Sequence, residues 1–407
     1  MKSSMTQKET FLLPIIDIEN LGLDAGAHLL IKHGLAGVPV GGEIRVTGNA
    51  FGWEAQLSAW CRAQGHPLIF VDGKAHITRS DIHAGRWRGA TQTGHADPKQ
   101  NGAVHEHALP CYGLAARGAT VEAGAPEYVF RLNQKHEVWA DNAAELYSQA
   151  VAAQWNADQA IDWNAAFELP DEVEDAVAQV MTYMIENENA ALVVPARFLG
   201  QVHPHFREVQ AVLSIQVADE ARHIDVFTRR LRLRGREPAL STAGGQASLK
   251  TLLDEPDFSV AGFLLSVLGE GTFVSLLNFL HAHAPGPVTR QIARLAAIDE
   301  GRHVAFGMAH LLRRLEHEPE FRPRLARAVE TRNEALSGTS GLNEEVFDAL
   351  VLLAAGEFTP AAIAAGYARV QGLMSDMADG RLARLQRLGF EGKSAQRLAS
   401  LHTRNFM

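Results

Sequence analysis

IQVADEARHIDVF, residues 215–227, and IARLAAIDEGRHVAF, residues 292–306, carry one pentad twice: Asp219-Glu220-Ala221-Arg222-His223 and Asp299-Glu300-Gly301-Arg302-His303. On a helix, residues at i and i+3 share a face, so each copy offers one carboxylate and one imidazole to a single metal ion. In a chain with 18 His, one Glu-x-x-His is a weak signal. Two copies with Asp and Arg at the same offsets are a strong one. The bland alternative, two wet helix faces laced with salt bridges, fails to explain why both pentads follow apolar runs (AVLSIQVA and IARLAA), where unpaired charge is costly.

Working outward, the apolar periodicity predicts four long helices, roughly Asp171 to Leu199, Pro204 to Leu233, Phe258 to His283 and Val288 to Leu315. HPH at 203–205 and APGP at 284–287 split them into two tight antiparallel hairpins. Pro195 is expected to kink the first helix. The stretch from Arg236 to Asp257 is long enough to cross between the hairpins, and helical segments beyond Glu318 are expected to wrap the bundle. Each pentad is preceded by a helix with an acid in apolar surroundings: Glu188 lies 32 residues before Glu220, and Glu270 lies 30 before Glu300. Antiparallel helices rising about 1.5 Å per residue bring such pairs to similar heights. Glu186 competes with Glu188. Met184, Ile185, Ala191 and Leu192 flank Glu188 at i−4, i−3, i+3 and i+4, whereas Glu186 has Thr182, Tyr183, Asn189 and Ala190, so the apolar stripe favours Glu188 and leaves Glu186 as the alternative ligand. The candidate ligands are Glu188, Glu220, His223, Glu270, Glu300 and His303. Hard oxygen donors with two imidazoles suit two iron ions, or manganese with iron, with open positions for O2.

The rest of the chain narrows the class. It has 407 residues, 46% apolar and 21% charged, with a formal charge of −9, which disfavours a nucleic-acid or anionic-membrane partner. Cys61 and Cys111 are the sole cysteines, too few for a disulfide framework or a four-thiolate site, in keeping with a reducing cytoplasm. The N-terminus lacks a signal-peptide pattern, and the apolar run Ala261 to Leu280 is interrupted by Glu270, so neither secretion nor a membrane span is expected. Residues 11–78 alternate β-rich runs (FLLPIIDI, GEIRVTG, PLIFVDG, AHITR) with helical stretches Ala25 to His33 and Trp53 to Gln64, so residues 1–79 read as an α/β unit. Residues 80–142 are an irregular linker or layer, and residues 143–407 are all-α. The fold class is thus multidomain α/β plus all-α. His95, His105, His107 and Cys111 match no standard zinc spacing and are taken as solvated loop residues. Trp155 and Trp163 are expected packing anchors, and Phe227, Phe273 and Phe306 line a pocket or fill the core. No Gly-rich dinucleotide fingerprint is present, so direct use of a nicotinamide is not expected.

From Ala143 to Leu315 the sequence resembles the ferritin-like di-iron carboxylate oxygenases and oxidases. The nearest impression is of the p-aminobenzoate N-oxygenase-like group, through Glu188 to Leu199 (ENAALVVPARFL) and Ile215 to Phe227. The resemblance implies a ferritin-like four-helix bundle with additional C-terminal helices, and an O2-activating enzyme that hydroxylates or N-oxygenates a small organic substrate, supplied with electrons by a separate reductase. It also implies that Asp219 serves His303 and Asp299 serves His223, with Arg222 and Arg302 balancing charge; a wet-face ion-pair role for these four stays open. Those N-oxygenases carry an additional His one turn before the second glutamate, where this chain has Ala296. The N-terminal stretch from Gly22-Leu23 to Lys32, followed by GGEIRVTGNAFGWEAQLSAWCRAQGHPL, resembles the TusA-type sulfur-carrier fold, but Asp24-Ala25-Gly26 stands where that family has its reactive Cys-Pro. A binding role, packing on the bundle or homodimer formation is then expected of this domain. Iron storage or peroxide scavenging, and a non-catalytic adaptor, are the rival functions.

Overall fold

The computed structural model describes residues 13–82, 88–337 and 344–401, so Phe11 and Leu12 of the first β-rich run lie outside the described residues. The chain divides into two compact units, residues 1–92 with 120–125, and residues 93–119 with 126–407. The stretch 80–142 is thereby shared between the two.

In the first unit β1 (Ile15–Asp17), α1 (Ala27–Ala36), β2 (Glu43–Thr47), α2 (Trp53–Gln64), β3 (Leu68–Val71) and β4 (Lys74–Thr78) follow in order. The sheet order is β1-β2-β4-β3, with β1 parallel to β2 and the other pairs antiparallel. The first helix starts later than its periodicity suggests, because Leu23–Ala25 forms a 3-10 turn and Gly26 adopts φ 109°, a left-handed conformation open mainly to glycine. Ile18, Ile31, Ile44, Leu57 and Ile77 fill the core with Cys61, whose thiol burial pushes up to about 11. Short strands β5 (Thr91–Gln92) and β6 (Thr120–Val121) pair antiparallel.

The second unit opens with irregular chain and short helices α3 (Lys135–Val138), α4 (Ala143–Ala152) and α5 (Ala157–Ala160). Ala103, Ala108, Tyr112 and Trp139 of the irregular stretch join the same apolar core as Val194 and Phe206. Arg117, buried, clasps Glu208 with both guanidinium nitrogens. Four long rods follow. α6 (Asp171–Leu199) begins with three acids in its first turn, favourable at a helix N-terminus, and runs through Pro195. α7 (Arg207–Leu233) follows the 3-10 turn Pro204–Phe206. The third rod is α9 (Phe258–Gly262), a π-helical stretch Phe263–Glu270 and α10 (Gly271–His283). The fourth, α11 (Pro287–His317), starts on a proline, whose missing N–H costs nothing there. The crossover expected between the hairpins contains a helix of its own, α8 (Ala243–Asp254), capped by the Thr242 hydroxyl.

α6 packs on α7, the third rod on α11, and α7 meets α11 between them. Two apolar cores lie along this bundle: Leu213, Val194, Val267 and Phe306 in one, Phe227, Met184, Phe273 and Ala296 in the other. Each rod passes from one core to the other, and its candidate ligand lies at the crossing. α12 (Arg322–Ser337), α13 (Glu344–Ala355), α14 (Pro360–Arg387) and α15 (Gly392–Ser400) complete the unit, α13 against α6 and α14 against α10. The helix Phe258–His283 is apolar and long enough to cross a membrane, but 83% of its most apolar window is buried inside the protein.

Candidate metal centre

All six predicted side chains are buried and converge. Glu220 and Glu300 are fully buried, as is His223, while Glu188, Glu270 and His303 are 1–4% exposed. Ligand atoms of Glu188, Glu220, His223 and Glu300 lie within 4.8 Å of one another, and so do those of Glu220, Glu270, Glu300 and His303. Two donor sets share two carboxylates. Glu186, half-buried, belongs to neither. Among the described residues these are the only groups of three or more such donors.

The imidazoles are held from behind. His223 turns Nδ1 toward Glu220, 3.2 Å away, and His303 turns Nδ1 toward Glu220 at 3.0 Å. Their Nε2 atoms face the opposite way, at 3.1 Å from Asp299 Oδ2 and 3.4 Å from Asp219 Oδ2, each Asp belonging to the other pentad's helix. A carboxylate behind the ring fixes its tautomer and orientation. Arg222 donates to both aspartates, 2.8 Å to Asp299, and Arg302 donates to Asp299.

Three further residues carry the frame and were not singled out for this by the sequence. Trp155, read as a packing anchor, donates its indole N–H to Asp299 Oδ2 at 2.8 Å and stacks on the His223 ring. Gln154 donates to Asp219 at 2.8 Å and accepts from Arg222. Gln216, one turn before Glu220, donates to Glu270 Oε1 at 3.0 Å. The Gln at i−4 from a ligand was the available signal for the last; the first two sit in a loop with no periodicity. Trp163 does pack, its N–H bonded to the Ala157 carbonyl and Arg229 over its ring.

The histidine patch does not assemble. His107 is exposed against Asn133, while His105 bonds the Tyr112 hydroxyl at 2.8 Å and packs on His205. Phe227, Phe273 and Phe306 are all core residues, and Phe306 also borders a cavity of about 30 Å³ that reaches Gln216 and Ser266.

Protonation reflects crowding. Burial, then repulsion from Glu220 and Glu300, drives Glu188 well above the usual carboxylate range; burial, then Glu300, does the same to Glu270. Burial alone would lower the two imidazoles, but it is outweighed, by Glu188 at His223 and by Glu220 and Glu300 at His303, so both are raised well above the usual range. Burial also opposes the charge on Glu220, yet the positive charge of His303 and the nearness of the His223 imidazole hold that carboxyl low. Even so, Glu188 Oε1, both Glu220 oxygens, Glu270 Oε2, Glu300 Oε1 and His223 Nδ1 are buried without a hydrogen-bond partner. Buried polar atoms are nearly always satisfied, so six orphans pointing into one space fit a pair of cations that would complete them.

No protein-family model and no curated protein matches the chain. Solved structures do. An R2-like ligand-binding oxidase from Sulfolobus acidocaldarius is 16% identical over 58% of this chain and 90% of that one, with a TM-score of 0.41. An R2-like ligand-binding oxidase with an aerobically reconstituted Mn/Fe cofactor is 17% identical over 65% and 94%, TM-score 0.42. A mutant R2-like ligand-binding oxidase with an anaerobically reconstituted Mn/Fe cofactor is 17% identical over 60% and 94%, TM-score 0.45. At this degree of likeness the chemistry rests on the site's own geometry.

Proposed function

We propose that this chain is an O2-using dinuclear oxidoreductase of the iron or manganese–iron type, acting on a small organic substrate by hydroxylation or N-oxygenation. The observation that carries the reading is the pair of buried donor sets sharing Glu220 and Glu300, with Glu188 and His223 completing one and Glu270 and His303 the other. This is the donor arrangement of di-iron and di-manganese carboxylate bundles. When bound, two such ions supply redox-active positions at which O2 can be reduced.

The chain's own residues supply the rest. Glu188 and Glu270 each arrive from a pentad-free rod, so each donor set takes one carboxylate that the other set does not use. Gln216 fixes one oxygen of Glu270 and leaves the other unpartnered. Asp219 and Asp299 hold the imidazole Nε2 atoms, which keeps each Nδ1 turned inward. The apolar cores above and below exclude water from the polar layer. Electrons would come from a separate reductase, since the chain has no dinucleotide fingerprint.

The test is O2 uptake by the reduced, iron-loaded protein. Uptake of about one O2 per chain, matching the two electrons that two ferrous ions hold and accelerated by a particular organic compound that gains oxygen, supports the oxygenase. Continued accumulation of iron far beyond two ions per chain identifies a storage protein and overturns it.

A further inference from the structure

Three arginines contributed by the C-terminal helices, two of them buried and one half-buried, have no anion beside them. Arg332 on α12 is 9% exposed and Arg381 on α14 is 3% exposed, and Arg384, one turn on, is half-buried. Among the described residues none of them pairs with a carboxylate. Their polar contacts are neutral: Ser248 Oγ at 2.9 Å from Arg332, the Ala399 carbonyl at 3.4 Å from Arg381 and Thr272 Oγ1 at 3.5 Å from Arg384. Arg381 Nη2 and Arg384 Nε have no partner at all. Burial draws each guanidinium down to about 10, and at Arg381 the charges of Arg384 and Arg332 add to it. Uncompensated buried cations are costly, and the fold nevertheless keeps Arg381 within reach of the charges of both Arg332 and Arg384.

We propose that Arg332, Arg381 and Arg384 form a buried receptor for the oxyanion of a small organic carboxylate or phosphate. Guanidinium groups are suited to either, because their planar donor forks match both anions. A cleft of about 360 Å³ leads to Arg332; Arg324 and Arg327 add positive charge to its wall, Glu255 is its one acid, and Val260 and Leu264 supply apolar surface for an organic body. The receptor also abuts the dinuclear layer. The Arg384 guanidinium lies so close to Gly271 that a Cβ there would fall 2.5 Å from Nε, and Thr272 is two residues beyond Glu270. An anion held by these arginines would therefore anchor a substrate beside the metal centre, a step that rests on the dinuclear reading while the anion site itself does not.

The experiment is calorimetric titration and thermal melting of the full-length protein, as purified, with sodium benzoate, inorganic phosphate and the neutral benzamide. Metal content is measured alongside. Benzoate or phosphate should bind and raise the melting temperature, and benzamide should not; the stronger of the two anions identifies the headgroup. Arg381→Met should weaken that anion about tenfold or more, without lowering the melting temperature of the ligand-free protein, because it removes an unpaired charge. Arg384→Gln should weaken it likewise if Arg381→Met does not fold, and the exposed Arg62→Gln should change nothing. His303→Ala should leave anion binding in place whatever it does to the metal. Failure of both anions to bind, or binding lost in His303→Ala but intact in Arg381→Met, overturns the proposal.

Discussion

Glu188 and Glu186 stand two positions apart on α6, about 200° apart around the helix. Their neighbours in sequence already tell them apart, because the apolar residues at i±3 and i±4 mark the inward face, and the structure places Glu188 in a donor set and Glu186 outside both. Glu188→Gln should therefore lose much of the bound metal, while Glu186→Gln should retain it; metal analysis of the two purified variants checks this. Trp155 shows where such reading stops. A loop tryptophan looks like a packing anchor, and only the fold reveals that its N–H reaches Asp299, 144 residues away. Trp155→Phe keeps the ring on His223 and removes the hydrogen bond, so metal affinity should fall about tenfold with the fold intact, measured by competition with a chelator.

At the scale of elements, the four long helices are legible because each carries sustained apolar periodicity between turn signals. The π-helical stretch Phe263–Glu270 is not, since FLLSVLGE is apolar on all sides and nothing local distinguishes a π from an α hydrogen-bond pattern. It ends on Glu270. Away from the metal layer, Arg230 ties three rods together: it donates to Glu174 at 2.9 Å on α6 and to Thr289 at 2.8 Å on α11. Both charges are buried, so Glu174→Ala strands a cation and should destabilise the bundle by about 3–5 kcal/mol in denaturant unfolding. His310 on α11 sets an acid limit. Buried, it faces the Trp139 carbonyl at 3.1 Å and the Ser259 hydroxyl at 2.8 Å, and burial draws it from 6.5 to about 4. As pH falls from 6.5 toward 4 the unfolded chain takes up a proton that the native state refuses, so stability drops through that window and is fully present above it. The wild type should lose about 2 kcal/mol more than His310→Gln between pH 7 and pH 5, read from unfolding curves at the two values.

At the scale of the whole molecule, the change from β-rich runs to long helical periodicity announces two units, but it does not announce where the irregular stretch belongs. Residues 93–119 have no period; they join the helical unit through Ala103, Ala108 and Tyr112 in its core and through the Arg117–Glu208 clasp, contacts made with residues far along the chain. All six candidate ligands lie in that unit. Deletion of residues 1–79 should then leave the metal content unchanged, and loss of metal on deletion would show that the N-terminal unit supports the site.

The account stands on two cations held between Glu220 and Glu300. Anomalous diffraction from crystals of the metal-loaded protein, recorded at the iron and manganese absorption edges, tests this most directly. Two peaks should appear in the buried layer, one flanked by Glu188 and His223 and the other by Glu270 and His303, and both should vanish in a His223→Ala, His303→Ala double variant that remains folded. A single ion, or ions bound elsewhere with this layer holding only protons, would contradict it.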